Sequence, residues 1–190
     1  MSKIVILGDG FSGHTVVAHL RRKLGKEHEV LVVFPNRNYR WVPSNIWVGI
    51  GRMKSNQLIF LLEPLYKRNG IGYKQAKVVS FRPEGNKNES KPCVSVEYVF
   101  GEMQGTQENE TYDYLINATG PKLAFDMTED INLGINKAFS ICTYDHVEHA
   151  GQGLKELIVQ LKTSYKKAKN IFAPRIAFVP PRSILNFTVF

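Results

Sequence analysis

The sequence predicts an α/β fold with a parallel sheet and a small antiparallel insertion. Two continuous apolar runs, at residues 3–7 and 29–34, are typical of parallel strands that are covered on both faces. A helix-compatible stretch through Leu24 joins them and completes a β-α-β unit of the usual length. Residues 92–100 instead alternate apolar and polar side chains, as a half-exposed antiparallel strand does. We therefore expect a Rossmann-like domain with an antiparallel hairpin or meander inserted into it.

The remaining segments are assigned from their spacing and their turn residues. Residues 153–169 have the clearest helical spacing, with lysines on the face opposite the apolar one. The other predictions are a helix at 55–69 that Pro64 bends or shortens, a strand at 71–81, a turn or loop at 101–111, and a buried strand at 112–120 that ends in a glycine turn.

Composition restricts the class of protein. With 190 residues, 43% of them hydrophobic and 22% charged, the chain has the balance of a soluble globular protein. Its net charge of +8 lies partly in short basic clusters, but no RNA-binding signature or zinc-finger spacing accompanies them, so we expect no nucleic-acid partner. Two cysteines, no leader-like segment and no run of about 20 apolar residues favour a cytoplasmic protein. Peripheral contact with the inner face of a membrane stays open.

The glycines that follow the first strand have the spacing of a phosphate-binding loop. Gly8, Gly10 and Gly13 form a G-x-G-x-x-G pattern directly between a strand and a helix, the context that gives this short motif its meaning. Gly8 permits the sharp turn, Gly10 lets the backbone approach a pyrophosphate, and Gly13 lets the helix pack closely on the sheet. The helix N-terminus then offers amides and partial positive charge to the anion.

The second strand lacks the usual partner for a ribose. An acidic residue is expected at its end, but residues 34–37 read Phe-Pro-Asn-Arg. Asn36 could still hydrogen-bond a ribose hydroxyl, more weakly than a carboxylate. The loop alone therefore predicts a dinucleotide without saying which one.

Three further segments resemble the sulfide:quinone oxidoreductase family, within the larger group of flavin reductases with two dinucleotide-binding domains. They are residues 40–51 (RWVPSNIWVGIG), 118–122 (ATGPK) and 140–146 (SICTYDH), and together with the glycine loop they occur in that family in this order. The resemblance covers roughly residues 3–150.

The resemblance implies that FAD is the cofactor and suggests a place for each motif. The implied contacts are Gly8, Gly10, Phe11, Ser12 and Gly13 at the pyrophosphate, Asn36 at the adenosine ribose, Val78 or Val79 near the adenine, Pro43, Ser44 and Asn45 beside the isoalloxazine, and Thr119, Gly120, Pro121 and Lys122 closing over the cofactor. Lys122 could stabilise the anionic reduced flavin or be a surface lysine after a turn.

Cys142 matches a cysteine of the family's sulfide-oxidising site. The resemblance implies that a thiolate or persulfide exchanges sulfur there while electrons pass through FAD to a quinone. That chemistry normally needs more than one cysteine, and Cys93 lies outside every family motif. A zinc site at Cys142, His146 and His149 would need a helix and a fourth ligand, so we predict no metal.

The chain departs from the family after residue 153, where no second glycine-rich turn follows. We expect residues 1–150 to be the first part of a FAD-binding domain, and residues 151–190 to be a helix with a strand-like tail, with the second dinucleotide-binding domain absent. Residues 169–173 resemble the strand by which the family's chain returns late to the flavin domain. Either the gene has lost its middle part, which joins the first half to a piece of the last, or the chain ends early and its tail has drifted, so that this match is chance.

Three functions follow from these observations. The first is a flavin-binding oxidoreductase part with little sulfide:quinone activity alone. The second is a non-catalytic interaction module that self-associates or docks through surface left by the missing domain. The third is a single-domain NAD(P) reductase that uses Tyr73 and Lys77, which is disfavoured because a strand follows them.

Overall fold

The predicted β-α-β unit is present in the computed structural model, which describes residues 1–85, 90–121, 123–124 and 139–165. Strand β1 spans Lys3–Leu7, helix α1 spans Phe11–Lys23 and strand β2 spans Glu29–Val33. The two strands pair in parallel. In chain order the other elements are β3 (Asn38–Arg40), a 3₁₀ turn (Val42–Ser44), α2 (Asn45–Gly49), a second 3₁₀ turn (Ser55–Leu58), β4 (Ile59–Leu61), α3 (Glu63–Arg68), β5 (Gly72–Lys74), β6 (Ala76–Arg82), β7 (Cys93–Tyr98), β8 (Gln107–Thr111), β9 (Tyr114–Asn117) and α4 (Tyr144–Tyr165).

The strands form a four-stranded sheet in the order β5-β2-β1-β9, a three-stranded sheet β6-β7-β8 and a pair β3-β4. All pairs in the four-stranded sheet are parallel, and those in the three-stranded sheet are antiparallel. Leu7 at the end of β1 lies opposite Asn117 at the end of β9. The segments that follow β1 and β9 are therefore neighbours, which positions the candidate site.

Both faces of the parallel sheet are covered, which explains why β1 and β2 are apolar without alternation. Ile4, Ile6, Val30 and Val32 pack on one face in a cluster that includes Val17 of α1, Tyr66 of α3 and Leu62. Val5, Leu7, Leu31 and Val33 pack on the other face with Ala76, Val94 and Val96 of the antiparallel sheet. Each such side chain contributes about 1.5–3 kcal/mol by leaving water. The antiparallel insertion thus forms part of the core.

A buried carboxylate joins the two sheets. Glu110 on β8 is 4% exposed and forms ion pairs with Lys3 of β1 (2.7 Å) and with Lys74 of β5. Lys74 also pairs with Glu108 at 2.7 Å. Burial alone would lower the pKa of Lys74, but the hydrogen bonds that it donates to Glu108 and Glu110 raise the pKa overall, so this lysine stays charged.

Three predicted elements between residues 55 and 111 differ from the structure. The single helix at 55–69 is wrong, since this segment holds a 3₁₀ turn, β4 and the short helix α3, with Pro64 in its first turn. The strand at 71–81 is divided at Gln75 into β5 and β6, which belong to different sheets. The loop at 101–111 contains β8.

The chain divides into two units, Met1–Arg40 with Phe60–Gly120, and Trp41–Ile59 with Pro121–Phe190. The described part of the second unit has a core of Val48, Leu58 and Val147, with Met53 beside it. Its helix α4 begins at Tyr144, well before the predicted start at residue 153. The rest of that predicted helix and the tail at 170–190 lie outside the described residues. Within the described part of the chain, no helix is long and apolar enough to cross a membrane.

Candidate dinucleotide-binding site

The turn out of β1 requires glycine at position 8. Gly8 has φ +97°, a conformation that other residues rarely adopt. Its amide donates a hydrogen bond to the Val33 carbonyl of the neighbouring strand (2.9 Å). A side chain on Gly8 would begin within 3.0 Å of the Ala118 carbonyl oxygen. The loop and the segment after β9 therefore touch through their backbones.

Gly10 and Gly13 differ in what surrounds them. A side chain on Gly13 would begin within 3.0 Å of the Gly8 carbonyl oxygen, so the first turn of α1 rests directly on the loop. Gly10 is exposed, and no heavy atom lies within 4 Å of the position that its Cβ would occupy. The fold thus needs Gly8 and Gly13, whereas the space in front of Gly10 is open to a ligand.

The start of α1 suits an anion. No side chain caps the helix, and its first turn contains no acidic residue. Ser12 is exposed there and Phe11 is 56% exposed. First-turn amides have no partner inside a helix, and the helix dipole adds partial positive charge. A pyrophosphate can accept hydrogen bonds from these amides and is attracted by this partial charge.

The Ala-Thr-Gly turn lies beside this loop. The Ala118 amide donates to the Leu7 carbonyl (2.7 Å), which continues the pairing of β9 with β1. The amide and hydroxyl of Thr119 both donate to Asn117 Oδ1, at 3.2 and 2.8 Å. Gly120 follows in an exposed position. The structure therefore brings together the two motifs that the sequence separates by about a hundred residues.

Asn36 and the two valines lie in the same unit. Asn36 is exposed, and its carbonyl accepts a hydrogen bond from the Tyr73 hydroxyl (2.7 Å). The register of β6 against β7 shifts between Val78 and Ser80, which leaves Val79 at the irregularity and 48% exposed. Val78 packs against the core cluster instead. Of these two valines, Val79 is the one that a ligand could reach.

A buried polar cluster beneath the loop was missed by the sequence analysis. Asp9, between the first two glycines, is 2% exposed and accepts a hydrogen bond from the Tyr66 hydroxyl. His14 Nδ1 lies 3.1 Å from the same hydroxyl. Burial raises the pKa of Asp9 to about 6, although the bond from Tyr66 opposes the rise. Burial lowers the pKa of His14. The one available signal was a carboxylate inside a loop predicted to bind an anion.

The Pro-Ser-Asn segment belongs to the second unit. Pro43 and Ser44 lie in the 3₁₀ turn, and Asn45 is the first residue of α2. Asn45 is 5% exposed, and its Nδ2 donates to the Ile141 carbonyl at 3.0 Å. This amide thus connects α2 to the segment that contains Cys142. Pro121 is exposed, and Lys122 lies outside the described residues.

Cys142 is a free, half-buried thiol that precedes α4. Its amide donates to Ser140 Oγ at 3.0 Å, and the Ser140 amide donates to His146 Nδ1 at 3.4 Å. Cys93, in β7, is 0% exposed. His149 Nδ1 contacts the carbonyl of Asp145 (2.6 Å). Over the described ranges, no group of three metal-ligating side chains is placed to hold an ion.

The residues of the NAD(P) reductase hypothesis lie on separate strands. Tyr73 is in β5 and Lys77 is in β6, where Lys77 pairs with Glu97 at 2.7 Å. A helix that aims this lysine at the tyrosine is not formed.

Comparison with known sequences gives matches that cover most of this chain but only a part of each relative. The chain is 27% identical over 159 residues to a mitochondrial sulfide:quinone oxidoreductase of Dictyostelium discoideum, a match that covers 83% of this chain and 32% of the relative. It is 25% identical to a sulfide-quinone reductase of Aquifex aeolicus, over 81% of this chain and 31% of the relative. An external alternative NAD(P)H-ubiquinone oxidoreductase of Arabidopsis thaliana is 29% identical to the chain, over 63% of this chain and 19% of the relative. No protein-family model matches.

Solved structures show the same fold. The Aquifex aeolicus sulfide:quinone oxidoreductase superposes with a TM-score of 0.64 at 24% identity, over 84% of this chain and 33% of that one. The water-forming NADH oxidase from Lactobacillus brevis gives 0.60 at 16% identity, over 82% and 33%. The chain spans about a third of the length of the sulfide:quinone oxidoreductases that it matches.

The parallel sheet, the glycine loop and these neighbours define a Rossmann-type α/β fold. In sequence, the described relatives to which the chain is similar include two sulfide:quinone oxidoreductases, each matched over about a third of its length.

Proposed function

We propose that this chain binds FAD, with the pyrophosphate at Gly8–Gly13, as the cofactor-binding part of a sulfide:quinone oxidoreductase-like flavoprotein. The observation that supports it is the contrast among the three glycines. Packing forbids a side chain at Gly8 and Gly13, yet nothing in the described fold occupies the space in front of Gly10. That space lies at the uncapped start of a helix, where an anion is stabilised.

The contacts proposed for the cofactor follow the exposure of each residue. The amides of Gly10, Ser12 and Gly13, with Phe11, would hold the pyrophosphate, and Thr119 and Gly120 would border it. The other contacts that we propose are Asn36 at the ribose, Val79 at the adenine and, from the resemblance, Pro43, Ser44, Asn45, Pro121 and Lys122 at the flavin. When bound, FAD supplies two-electron redox chemistry.

For the reaction, we propose sulfide as the electron donor and a quinone as the acceptor, as the names of the relatives suggest. Cys142 is the thiol that would hold the sulfide sulfur as a persulfide. Forming that S–S bond releases two electrons, which FAD, when bound, would accept and pass to the quinone. Cys93 cannot serve as its partner without unfolding β7, because it is fully buried. We therefore propose little sulfide:quinone activity for these 190 residues alone. Quinone use would bring the protein to a membrane surface.

The test is a titration with FAD, FMN and ADP, followed by flavin fluorescence and by displacement. If the loop holds the pyrophosphate, FAD binds, ADP competes with it, and FMN, which has no pyrophosphate, binds at least tenfold more weakly (1.4 kcal/mol per tenfold). Equal binding of FMN and FAD, or no binding of either by a folded protein, would contradict the proposal.

An association role is the second candidate, and apolar side chains in the second unit favour it. Ile46, Trp47 and Ile50, in and after α2, are 42%, 44% and 40% exposed. Exposed apolar side chains this close together are typical of an interaction surface. Light scattering during size exclusion tests this: self-association that Trp47→Ser abolishes supports it, and a monomer at all concentrations contradicts it.

A further inference from the structure

We propose that Asp9 takes up a proton when a dinucleotide pyrophosphate binds to the loop, so that binding weakens as the pH rises. This inference rests on the proposed function and adds to it a form of regulation. The relevant carboxyl group is that of Asp9, which lies between Gly8 and Gly10 in the loop that would hold the phosphates.

The carboxyl group of Asp9 is enclosed by protein. Its side chain is 2% exposed, and the Tyr66 hydroxyl on α3 donates to it. The titratable groups that face it are His14 on α1, Tyr39 on β3, Tyr66 on α3 and Tyr73 on β5, and Glu63 on α3 interacts electrostatically with Tyr73. In the described part of the chain, no lysine or arginine pairs with Asp9.

The neighbours of Asp9 leave its negative charge uncompensated. His14 is tied to the Tyr66 hydroxyl at 3.1 Å, and burial lowers its pKa, so it is neutral near pH 7. Burial raises the pKa of Tyr39 and of Tyr73, and the charge of Asp9 raises both further, so both phenols stay protonated. One hydrogen bond from Tyr66 is therefore the main stabilisation of the ionised form.

A pyrophosphate at the loop adds negative charge beside this group. Two like charges in a poorly solvated site disfavour ionisation, so the bound anion raises the pKa of Asp9 further. By linkage, a group whose pKa rises on binding takes up a proton from solution, and the affinity falls as the pH increases between the two pKa values. The N-terminus of α1 attracts the anion at every pH, so Asp9 supplies the pH dependence.

The experiment measures FAD affinity from pH 5.5 to 8.5 by calorimetry, in two buffers of different ionisation enthalpy. Above pH 6, the approximate pKa of Asp9, the dissociation constant is expected to rise by up to about tenfold per pH unit, with up to one proton taken up. Asp9→Asn keeps the shape of the side chain and can still accept from Tyr66. It is expected to bind with no such rise and no proton uptake.

Two further variants separate Asp9 from its neighbours. Tyr66→Phe removes the hydrogen bond that favours the carboxylate, so the midpoint of the profile should move to higher pH. His14→Gln removes the histidine that contacts the Tyr66 hydroxyl, and the profile should remain. Circular dichroism at each pH confirms that every variant is folded.

The outcomes distinguish this inference from the proposed function. FAD binding that is independent of pH in the parent chain, or a pH dependence retained in Asp9→Asn, overturns the inference and leaves FAD binding intact. A pH dependence lost in His14→Gln assigns the proton to histidine and also overturns it. No FAD binding at any pH overturns the proposed function, and this inference with it.

Discussion

The first turn of α1 rests on the carbonyl group of Gly8 through Gly13. A Cβ at Gly13 would lie within 3.0 Å of that carbonyl oxygen, a separation that real Cβ atoms essentially never show. The neighbouring Gly10 has open space around its missing side chain, with φ −73° and ψ −168°. Two glycines of one motif thus have different roles, one in packing and one in leaving room for a ligand.

Alanine should affect mainly stability at position 13 and mainly FAD binding at position 10. Gly13→Ala should destabilise the fold by about 1–3 kcal/mol or more, because the backbone must shift to admit the methyl group. Gly10→Ala should change stability by less than about 1 kcal/mol, since its backbone conformation suits any residue. It should nevertheless weaken FAD binding at least tenfold. Urea unfolding and a FAD titration of both variants measure this, and normal FAD binding by Gly10→Ala would contradict it.

Asp9 should make the fold less stable as the pH rises. Its pKa is about 6 in the folded chain against an ordinary value of 3.8, so the folded state binds the proton more tightly. The stability that this proton gives is fully present below pH 4 and is lost as the pH rises through 6. Two pKa units correspond to about 3 kcal/mol.

Asp9→Asn should therefore gain stability relative to the parent chain between pH 4 and pH 7. Urea denaturation at the two pH values measures the difference, and Asp113→Asn, an exposed carboxylate, is the control. If the difference in unfolding free energy between the parent chain and Asp9→Asn does not change with pH, the raised pKa of the buried Asp9 carboxyl group is contradicted.

The sequence was sufficient for the parts of the fold that depend on local pattern. The apolar runs of β1 and β2 and the glycine spacing gave the β-α-β unit, and the parallel sheet confirms it. The prediction of a single helix at 55–69 was wrong because the leucines of this segment do not pack in one core. Leu58 packs with Val48 and Val147, whereas Leu62 packs under the parallel sheet. Helical spacing cannot show that two leucines belong to different clusters.

The sequence predicts only the part of the candidate site that lies within one short motif. Gly8, Gly10 and Gly13 are read directly from their spacing. The Asp9–Tyr66 bond joins residues 57 positions apart, and no local rule connects them. The roles of Pro43, Asn45 and Cys142 stay predictions, because they come from the resemblance rather than from a pattern with its own physical meaning.

Glu110 should be important for stability because it pairs with lysines of two strands of the parallel sheet. Glu110→Gln leaves Lys3 and Lys74 without their buried acceptor, and we expect a loss of about 1–3 kcal/mol, since each lysine keeps a second carboxylate. Glu97→Gln, which removes a partly exposed pair with Lys77, should change stability little. Chemical denaturation compares the two, and equal effects would contradict the burial of Glu110.

The two cysteines should react at different rates. Cys142 is half-buried, whereas Cys93 has no exposed surface in β7. A thiol reagent should therefore modify one thiol quickly in the folded chain and both in denaturant. Cys142→Ser should lose the fast reaction and still bind FAD. A fast reaction that survives in Cys142→Ser would place the accessible thiol at Cys93 and contradict the structure.

The most direct measurement is a visible spectrum of the purified chain after incubation with FAD and removal of the excess by desalting, beside Gly10→Ala treated in the same way. A loop that holds the pyrophosphate predicts flavin absorbance that remains with the parent chain and is reduced in the variant. Loss of all flavin from a folded parent chain, or equal retention by both proteins, would contradict a FAD site at Gly8–Gly13.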